Sequence, residues 1–599
     1  MKINILPGCI LAASMVLTTS CSDFLTENPK GQMTPENVFK TTEDLDLSLT
    51  SLYGSLLGLQ CNSNTTIVQV MGDDVTSTTG SNKAAYLASD AFEVPSDVKG
   101  SEDLWKNLYA IIKNCNYTID CAKHIGVAET EVSETLGQAY FWRAYAYLML
   151  VRTFGPVPVS PENVLSLSLE ETSDATPLTS VEDIYKNIII SDLVKADGFN
   201  LPAQYEGDRK SVNGSNIYVS RQAVKSVLAA AYMSMAGYPL HKTECYALAA
   251  DKAKEALDIM TQTGANALLT DWKDVYSYGN NYSKECVLGL YYNPNTGSWG
   301  SDDSQFTSCH VLQYYKDWQG WGDFLAERKF WKDYPEGPRK NAVFAESLLT
   351  LEGNSVDWWA TKKGEPYTTW EEDGKKKSNA IISDFRPMYT GFAVNQDNGA
   401  PVAAPFDCTK PIYAGMTLAK THQLVRVSEV LCWFAEASAR SHKYTTEARA
   451  ALKKVRARAW ADAAKVAAVD NMTDDQLAQA AYEEHRYEVA GNVMALVTCR
   501  EDMFRMMKDA NNGPLKDHFD YRCGAQDFVL VPAGTVTRSQ EYDEATETYR
   551  PVTYTLAADI KLPEEYAIEN EWRQWRGESS IYTIYPPSEV LKNPYLVRK

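Results

Sequence analysis

The chain has 599 residues, of which 44% are hydrophobic and 11% aromatic, and it carries a formal net charge of −20 at pH 7. A chain of this length can bury a large core and would normally divide into several domains. The acidic balance argues against nucleic acid or an anionic lipid surface as a partner of its body, because either would bind a basic face.

The N-terminal segment has the order of a bacterial lipoprotein signal. Lys2 is the only charge before Cys21, residues 10–17 form an apolar run interrupted only by Ser14, and small residues then lead into the cysteine. The run is too short to span a bilayer, which needs roughly 20 apolar residues, and is typical of a signal peptide. We therefore predict a signal peptide over 1–20 and lipidation of Cys21, with palmitate among the acyl groups. The alternatives are a buried N-terminal helix, which fits poorly with the polar sequence that follows, and lipidation at Cys9, which few residues precede.

Amphipathic stretches with a 3.6-residue period predict three helices in the first third of the chain. Residues 101–124 place a leucine and isoleucine stripe on one face, with Ser101 as the predicted N-cap. Residues 134–154 predict a second helix, which ends at Gly155 and the proline after it. A third helix, over 179–196, opens with a Thr-Ser pair and acids behind it, which is a capping arrangement.

A spacing of small residues predicts paired antiparallel helices. Gly237, Ala249 and Ala256 have the separations of a tetratricopeptide helix pair, in which small side chains let two helices pack closely. The same offsets recur at Ser438, Ala450 and Ala457. Two copies, together with the earlier helices, predict a helical-repeat scaffold.

The segment from 270 to 420 has a different character, because it is rich in aromatic residues, Gly, Pro and Asn. Within it we predict a strand at 286–292 and a hairpin whose turn is the Asp-Gly pair at 373–374. Loops held on a rigid frame are where binding sites usually occur. This segment is therefore the predicted ligand-binding region.

The sequence lacks the common motifs of catalytic and metal sites. Its seven histidines never form H-E-x-x-H, its 12 cysteines never form C-x-x-C, and neither G-x-S-x-G nor a phosphate-binding G-x-x-x-x-G-K-[ST] occurs. A glycosidase needs only two carboxylates, such as Asp302 and Asp303, and no sequence spacing fixes their separation. We predict a protein that is not an enzyme and that uses no metal and no cofactor.

Four segments, in this order, carry a resemblance to a known family. They are CSDFLTENPKGQMTPENVFKTTEDLDLSLTSLYGSL, WRAYAYLMLVRTFGPVPV, RVSEVLCWFAEA followed by VRARA, and YPPSEVLKNPYL. Their motifs and separations resemble those of the SusD/RagB family of surface nutrient-binding lipoproteins of Bacteroidetes. Two segments depart from the family pattern and indicate a remote subfamily. EHRYEVAGNVMALVTC has Asn492, Ala495 and Thr498 in place of charged residues, and the chain ends in LVRK.

The resemblance implies an all-α-dominated fold with a tetratricopeptide-like scaffold and a loop-rich, minor-β second half packed on it. A lipidated tether over 21–40 would precede a single SusD-like domain over 41–599. Within this domain the expected helical repeats are about 41–260 and 420–500, and the expected loop-rich ligand-binding regions are about 270–420 and 500–599.

The function that the resemblance implies is capture of an oligosaccharide and its delivery to a SusC-like TonB-dependent transporter. The protein would be anchored in the outer membrane through the lipid on Cys21 and would face the exterior. Two alternatives keep the fold and change the role: a RagB-like component of a peptide importer, or a scaffold that binds other proteins.

Sugar rings pack their C–H faces on aromatic planes, and their hydroxyls need polar partners. In relatives the ligand cleft is lined from the loop region and from the loop after the first helix. The predicted stacking residues are Trp299, Trp318, Trp321, Tyr291 and Tyr292, and the predicted polar contacts are Asp73, Asp74 and Asn82. Each has a structural alternative, since an aromatic residue can face the core and a turn acid can cap backbone groups. Trp358 and Trp359 form a second candidate aromatic cluster.

Overall fold

A computed structural model of the chain describes residues 40–597 with the exception of several stretches. These are 62–67, 78–83, 94–98, 164–174, 208, 278–279, 293–323, 346, 350–354, 361–365, 373, 381–384, 390–412, 415–416, 419–420, 527–528, 544–547 and 567–572. The predicted signal peptide, Cys21 and nearly all of the tether lie outside the described residues. In the described part, no helix is both long enough and apolar enough to cross a bilayer.

Helices dominate the architecture. In chain order they are α1 (Thr42–Cys61), α2 (Ala84–Asp90), α3 (Lys99–His124), α4 (Ser133–Phe154), α5 (Val181–Ile184), which continues through the π-turn Tyr185–Ile190 into α6 (Ser191–Gly198), α7 (Arg221–Ala236), α8 (Cys245–Thr263), α9 (Arg328–Asp333), α10 (Pro338–Val343), α11 (Val427–Ser441), α12 (Thr445–Ala459), α13 (Ala463–Ala467), α14 (Asp474–Val489), α15 (Cys499–Arg505), α16 (Pro514–Cys523), α17 (Glu578–Ile581) and α18 (Pro587–Val590).

The strands pair antiparallel, two at a time, throughout the described part of the chain. They are β1 (Val75–Ser77) with β5 (Phe324–Ala326), β2 (Ser211–Val212) with β3 (Ser215–Asn216), β4 (Cys286–Leu290) with β14 (His422–Arg426), β6 (Phe344–Ala345) with β11 (Met388–Tyr389), β7 (Ser347–Leu349) with β8 (Ser355–Asp357), β9 (Pro366–Glu372) with β10 (Lys375–Ala380), β12 (Tyr413–Ala414) with β13 (Thr417–Leu418), β15 (Val529–Val531) with β18 (Ile560–Lys561), and β16 (Gly534–Asp543) with β17 (Thr548–Leu556).

The three predicted N-terminal helices are present. α4 ends before Gly155, whose φ of 77° suits a glycine, as the sequence predicts. Ser180 caps α5 by accepting a hydrogen bond from the Asp183 backbone N–H at 3.1 Å. The prediction of Ser101 as an N-cap is wrong, because α3 begins at Lys99 and Ser101 is buried inside its first turn.

The first predicted repeat pair is formed by α7 and α8, and its small residues have two different roles. Ala249 and Ala256 are fully buried on α8. Gly237 follows α7, where a Cβ would lie 2.2 Å from the carbonyl oxygen of Arg505. Gly237 is therefore required by the approach of α15, not by the packing of α7 on α8.

The second repeat pair, α11 and α12, exists, but its predicted register is wrong. Ala450 and Ala457 are exposed, whereas Ala448, Leu452 and Val455 are buried. α12 starts seven residues after Ser438, whereas α8 starts eight residues after its reference glycine. A shift of one residue rotates a helix position by about 100°, which turns the predicted alanines to solvent.

A network of buried charges joins the repeat helices to the loop-rich half. Its members are Arg339, Arg426, Arg456, Arg458, Glu285, Glu429, Glu484 and Glu488, all with side chains at most 5% exposed. Burial alone would raise the pKa of Glu488, but three guanidiniums hold it well below its usual range. The indole N–H of Trp272 also donates to Glu488, at 3.0 Å. These contacts tie the segment before β4 to α14.

The predicted β elements also occur. β4 lies in the predicted strand, and β9 and β10 form the predicted hairpin, with Gly374 at a φ of 69° in its turn. Trp358 and Trp359 do not form an exposed platform, because both are buried in a small core with Leu530 and Val531.

Candidate ligand-binding site

A cavity of about 360 Å³ lies beside Asp73, between the C-terminal part of α14 and helices α9, α15 and α16. Its floor is buried and includes Glu327, Phe330, Met503 and His518. Small-molecule sites usually measure roughly 300–1,000 Å³. The cavity therefore has room for one end of an oligosaccharide and not for a long chain.

The loop that carries Asp73 is clamped through its neighbour Asp74. The carbonyl oxygen of Asp74 accepts hydrogen bonds from the Glu327 backbone N–H at 3.0 Å and from the Tyr389 hydroxyl at 2.7 Å. Its carboxylate accepts one from the Gly491 N–H at 2.9 Å. Since β1 follows at once and pairs with β5, the loop is fixed on both sides, and Asp73 is left at the cavity wall.

Asp73 forms an ion pair with Arg486 of α14. The guanidinium of Arg486 also lies 5.3 Å from the ring centre of Tyr482. Burial alone would lower the pKa of Arg486, but the charge of Asp73 raises it well above its ordinary value. Arg486 is therefore a fixed cation whose charge is largely neutralised by Asp73.

Glu327 and His518 meet at the floor of the cavity. Glu327 lies between β5 and α9, with a side chain only 1% exposed, and accepts a hydrogen bond from Arg386 at 3.0 Å through Oε2. Its Oε1 lies 3.5 Å from Arg522 Nε and 4.0 Å from His518 Nε2. Burial lowers the pKa of His518, so its imidazole is neutral near pH 7.

The charged groups that line the cavity are mostly acidic. The carboxylates are Asp73, Glu327, Asp333, Glu483 and Asp517, and the permanent cations are Lys329 and Arg486. Both cations are already engaged, since Lys329 pairs with Asp333 and Arg486 with Asp73. The side chains that line the cavity therefore carry a net negative charge.

Asp73, Asp74 and Cys499 bring one oxygen or sulfur atom each to within 4.8 Å of one another. These donors fit a metal ion poorly. Asp73 already forms an ion pair with Arg486, and the Asp74 carboxylate already accepts a hydrogen bond from the Gly491 N–H. Burial raises the pKa of the Cys499 thiol well above its usual value, so the thiol is protonated. The trio acts as a structural cluster of the loop and its neighbours.

The sequence-predicted site residues fall into different surroundings. Asp73 lines the cavity, whereas Asp74 is 5% exposed and serves the loop clamp. Tyr292 is buried against His422, and Tyr291 stacks on Tyr282 with ring centres 5.6 Å apart. Asn82, Trp299, Trp318 and Trp321 lie outside the described residues and stay predictions.

Sequence reasoning did not find Arg486, Glu327 or His518. The sequence marks the segment that contains Arg486 only by its departures from the family pattern, and these do not point to a site. Glu327 and His518 sit next to no motif in the sequence. Glu327 and His518 are close in space because β1 pairs with β5 and α16 lies beside them. No spacing along the sequence predicts this contact.

The buried carboxyl of Asp74 predicts a pH-dependent stability. Burial is the largest cause, and with the charge of Asp73 it outweighs the Gly491 hydrogen bond and raises the pKa of Asp74 to about 7. Between its ordinary value of 3.8 and about 7, the native carboxyl keeps a proton that the unfolded one has lost. This group therefore makes the unfolding free energy fall as the pH rises through that window and leaves it level above.

Asp74→Asn removes this fall, because the amide carries no charge to bury. We expect the unfolding free energy of the variant, relative to that of the parent chain, to rise by ~1 kcal/mol per pH unit across the window. Urea unfolding at several pH values measures this difference. Asp258→Asn, at an exposed position of α8, is the matched control. Its unfolding free energy should depend on pH in the same way as that of the parent. An advantage of Asp74→Asn that does not change with pH would contradict the prediction.

Several known proteins are similar to this chain in sequence. A SusD-like family model, described as "Starch-binding associating with outer membrane", matches residues 23–233. A SusD-like protein of Bacteroides ovatus is 22% identical over 98% of this chain and 96% of its own. SusD-like protein P2 of Formosa agariphila is 24% identical over 80% of this chain and 86% of its own.

A solved structure agrees in fold over almost the whole chain. Surface glycan-binding protein A from Bacteroides thetaiotaomicron, in complex with laminarihexaose, superposes with a TM-score of 0.61 at 16% identity, covering 93% of this chain and 98% of that one. The helix-dominated fold predicted from the sequence is thereby confirmed.

The agreement in structure first defines the class of fold, which is helix-dominated and SusD-like. Over residues 23–233 the chain is similar to the SusD-like family, that of the SusD/RagB nutrient-binding proteins. The family model is described by the starch that its members bind, and the solved structure by its bound laminarihexaose.

Proposed function

We propose that this protein is a non-catalytic, cell-surface lipoprotein that captures an oligosaccharide and delivers it to a SusC-like TonB-dependent outer-membrane transporter. The observation that carries the proposal is the agreement in fold, over 93% of the chain, with a protein whose structure holds laminarihexaose. The cavity beside Asp73 supports it, because it combines aromatic walls with hydrogen-bonding groups on the loop that sequence reasoning placed in the cleft.

The same proposal includes the attachment and the domain organisation. The lipid on Cys21 would hold the protein on the outer membrane, facing the exterior, through the tether of residues 21–40. The remaining residues, 41–599, would act as one domain that covers the transporter. An acidic body with a lipid anchor does not need a basic membrane-binding face.

We further propose that Trp299, Trp318 and Trp321 form stacking platforms in this cleft. Tyr291, half-buried beside Tyr282, would extend the aromatic surface. Asp73 and Asn82 would supply polar contacts at its edge. Indole planes suit this role, since they offer a large apolar face to the C–H groups of a sugar ring.

Alanine at each of the three tryptophans is expected to weaken glycan binding by about 1–3 kcal/mol, because each removes an aromatic platform. A glycan array identifies the ligand, and isothermal titration calorimetry on the array hit measures the loss. Tyr595→Ala, at a 51% exposed aromatic position near the C-terminus, is the matched control and should bind like the parent. If all three tryptophans can be replaced together without loss of binding, the platforms are wrongly assigned.

A further inference from the structure

The floor of the cavity holds two buried polar atoms with unused hydrogen-bonding capacity. Glu327 Oε1 and His518 Nε2 accept or donate no hydrogen bond within the described part of the chain, although their side chains are only 1% and 6% exposed. A buried polar group without a partner is costly, so such groups normally meet a partner. Glu327 and His518 both line the cavity, so a ligand that fills it lies next to this polar pair.

The distance between the two atoms defines the chemistry of that partner. They are 4.0 Å apart, and one oxygen at the ordinary hydrogen-bond distance of about 2.8 Å can reach both. A hydroxyl donates to the carboxylate and also pairs with the neutral imidazole in either tautomer, because it both donates and accepts. An ammonium group fits less well, since Glu327 already faces the guanidiniums of Arg386 and Arg522.

The apolar part of the floor suits the body of a sugar ring. Phe330 is 5% exposed and Met503 is 2% exposed, and both line the cavity beside the polar pair. Tyr487 adds a half-buried ring to the wall and donates to the Asp333 carbonyl at 3.4 Å. A ring with one apolar face and several hydroxyls matches this mixture of surfaces.

The rim decides which sugars are accepted. Each permanent cation of the lining is already paired with an acid of the lining. Glu483, which is half-buried, and Asp517, which is exposed, are carboxylates that no cation of the lining balances. An anionic group in this partly enclosed space meets like charges that bulk solvent screens weakly. A neutral sugar meets no such repulsion.

We propose that the cavity holds the terminal residue of a neutral oligosaccharide, with one hydroxyl bridging Glu327 and His518, and that it rejects chains that end in a uronic acid. This inference rests on the proposed function and adds to it a subsite and a charge selectivity.

The test uses isothermal titration calorimetry on the full mature chain. The probes are a neutral oligosaccharide found on the glycan array and the same oligosaccharide oxidised to a carboxylate at C6 of its terminal residue. We expect the oxidised probe to bind about tenfold more weakly at low salt, and the difference to shrink at high salt as the repulsion is screened. Equal affinities overturn this inference and leave the proposed function intact. Failure of every oligosaccharide on the array to bind overturns the proposed function itself.

Two variants test the floor and the rim separately. Glu327→Gln removes the acceptor charge and is expected to weaken binding of the neutral probe about tenfold. Because Glu327 is buried, the exposed Asp517→Lys provides a second arm and should improve the relative affinity of the oxidised probe about threefold or more. Asp258→Lys, an exposed change on α8 outside the cavity, is the matched control and should leave the ratio unchanged. The inference is wrong if Asp517→Lys also leaves it unchanged.

A lysine-rich peptide serves as a competing probe. An acidic cavity that served peptide import would bind this peptide and release it at high salt. If the peptide binds while no oligosaccharide does, both the subsite and the oligosaccharide function are overturned. If the peptide fails to displace the neutral oligosaccharide, the result supports the sugar subsite.

Discussion

The Glu488→Gln variant is expected to unfold with a free energy about 3–5 kcal/mol lower than the parent chain, because it removes one member of a buried charge network. Glu488 is fully buried and pairs with Arg339 at 2.7 Å, with Arg426 at 3.1 Å and with Arg458 at 3.0 Å. The amide keeps the size of the side chain. The substitution removes the negative charge that three buried guanidiniums face. The positive charge left uncompensated lowers the unfolding free energy.

Urea unfolding followed by tryptophan fluorescence measures this effect, with the midpoint and the slope compared between variants. Glu447→Gln, an exposed change in the first turn of α12, is the matched control and should stay within about 0.5 kcal/mol of the parent. If the two glutamine variants unfold at the same urea concentration, the network does not stabilise the fold in the way its geometry indicates.

Gly491→Ala is expected to cost about 3 kcal/mol and to loosen the loop that carries Asp73. The φ of Gly491 is 73°, which side chains rarely adopt, and a Cβ would lie 2.6 Å from the ring of Tyr389. Tyr389 and the Gly491 N–H are two of the groups that clamp Asp74, so a shift of either releases the loop.

Gly126→Ala separates the backbone strain from the clash. Gly126 has nearly the same φ, 74°, and no atom within 4 Å of an added Cβ, so its substitution carries the strain alone, about 1 kcal/mol. Hydrogen exchange provides the local readout, since residues 72–77 should lose protection in Gly491→Ala and keep it in Gly126→Ala. Unchanged protection of that loop in both variants would show that Gly491 does not hold the clamp.

Local sequence patterns predicted much of the fold. The helices α3 and α4, the capped start of α5, the strand β4 and the β9–β10 hairpin all follow from periodicity and turn residues, which act over a few positions. The register of α12 was predicted wrongly because an offset carried from another helix pair ignores the length of the turn between the helices. The burial of Trp358 and Trp359 depends on strands that come much later in the chain.

The cavity could be predicted only in part. Asp73 was predicted because it lies in a loop that the family resemblance points to, and it lines the cavity. Its partner Arg486 was not predicted, since an ion pair between distant segments leaves no local signal. The same holds for the meeting of Glu327 with His518. In each case the residues meet because separate elements pack against one cavity, and local sequence patterns do not predict this packing.

The clamp on Asp74 affects the order in which parts of the protein fold. The Gly491 N–H is 417 residues away from the carboxylate that it binds, and Arg486 is 413 residues away from Asp73. A ribosome makes the loop near residue 73 long before the residues that fix it. Closing contacts this far apart in sequence is slow, so the emerging N-terminal part stays without its partners until synthesis is nearly complete. A fragment that ends before residue 486 should therefore retain the first helices and lack a formed cavity.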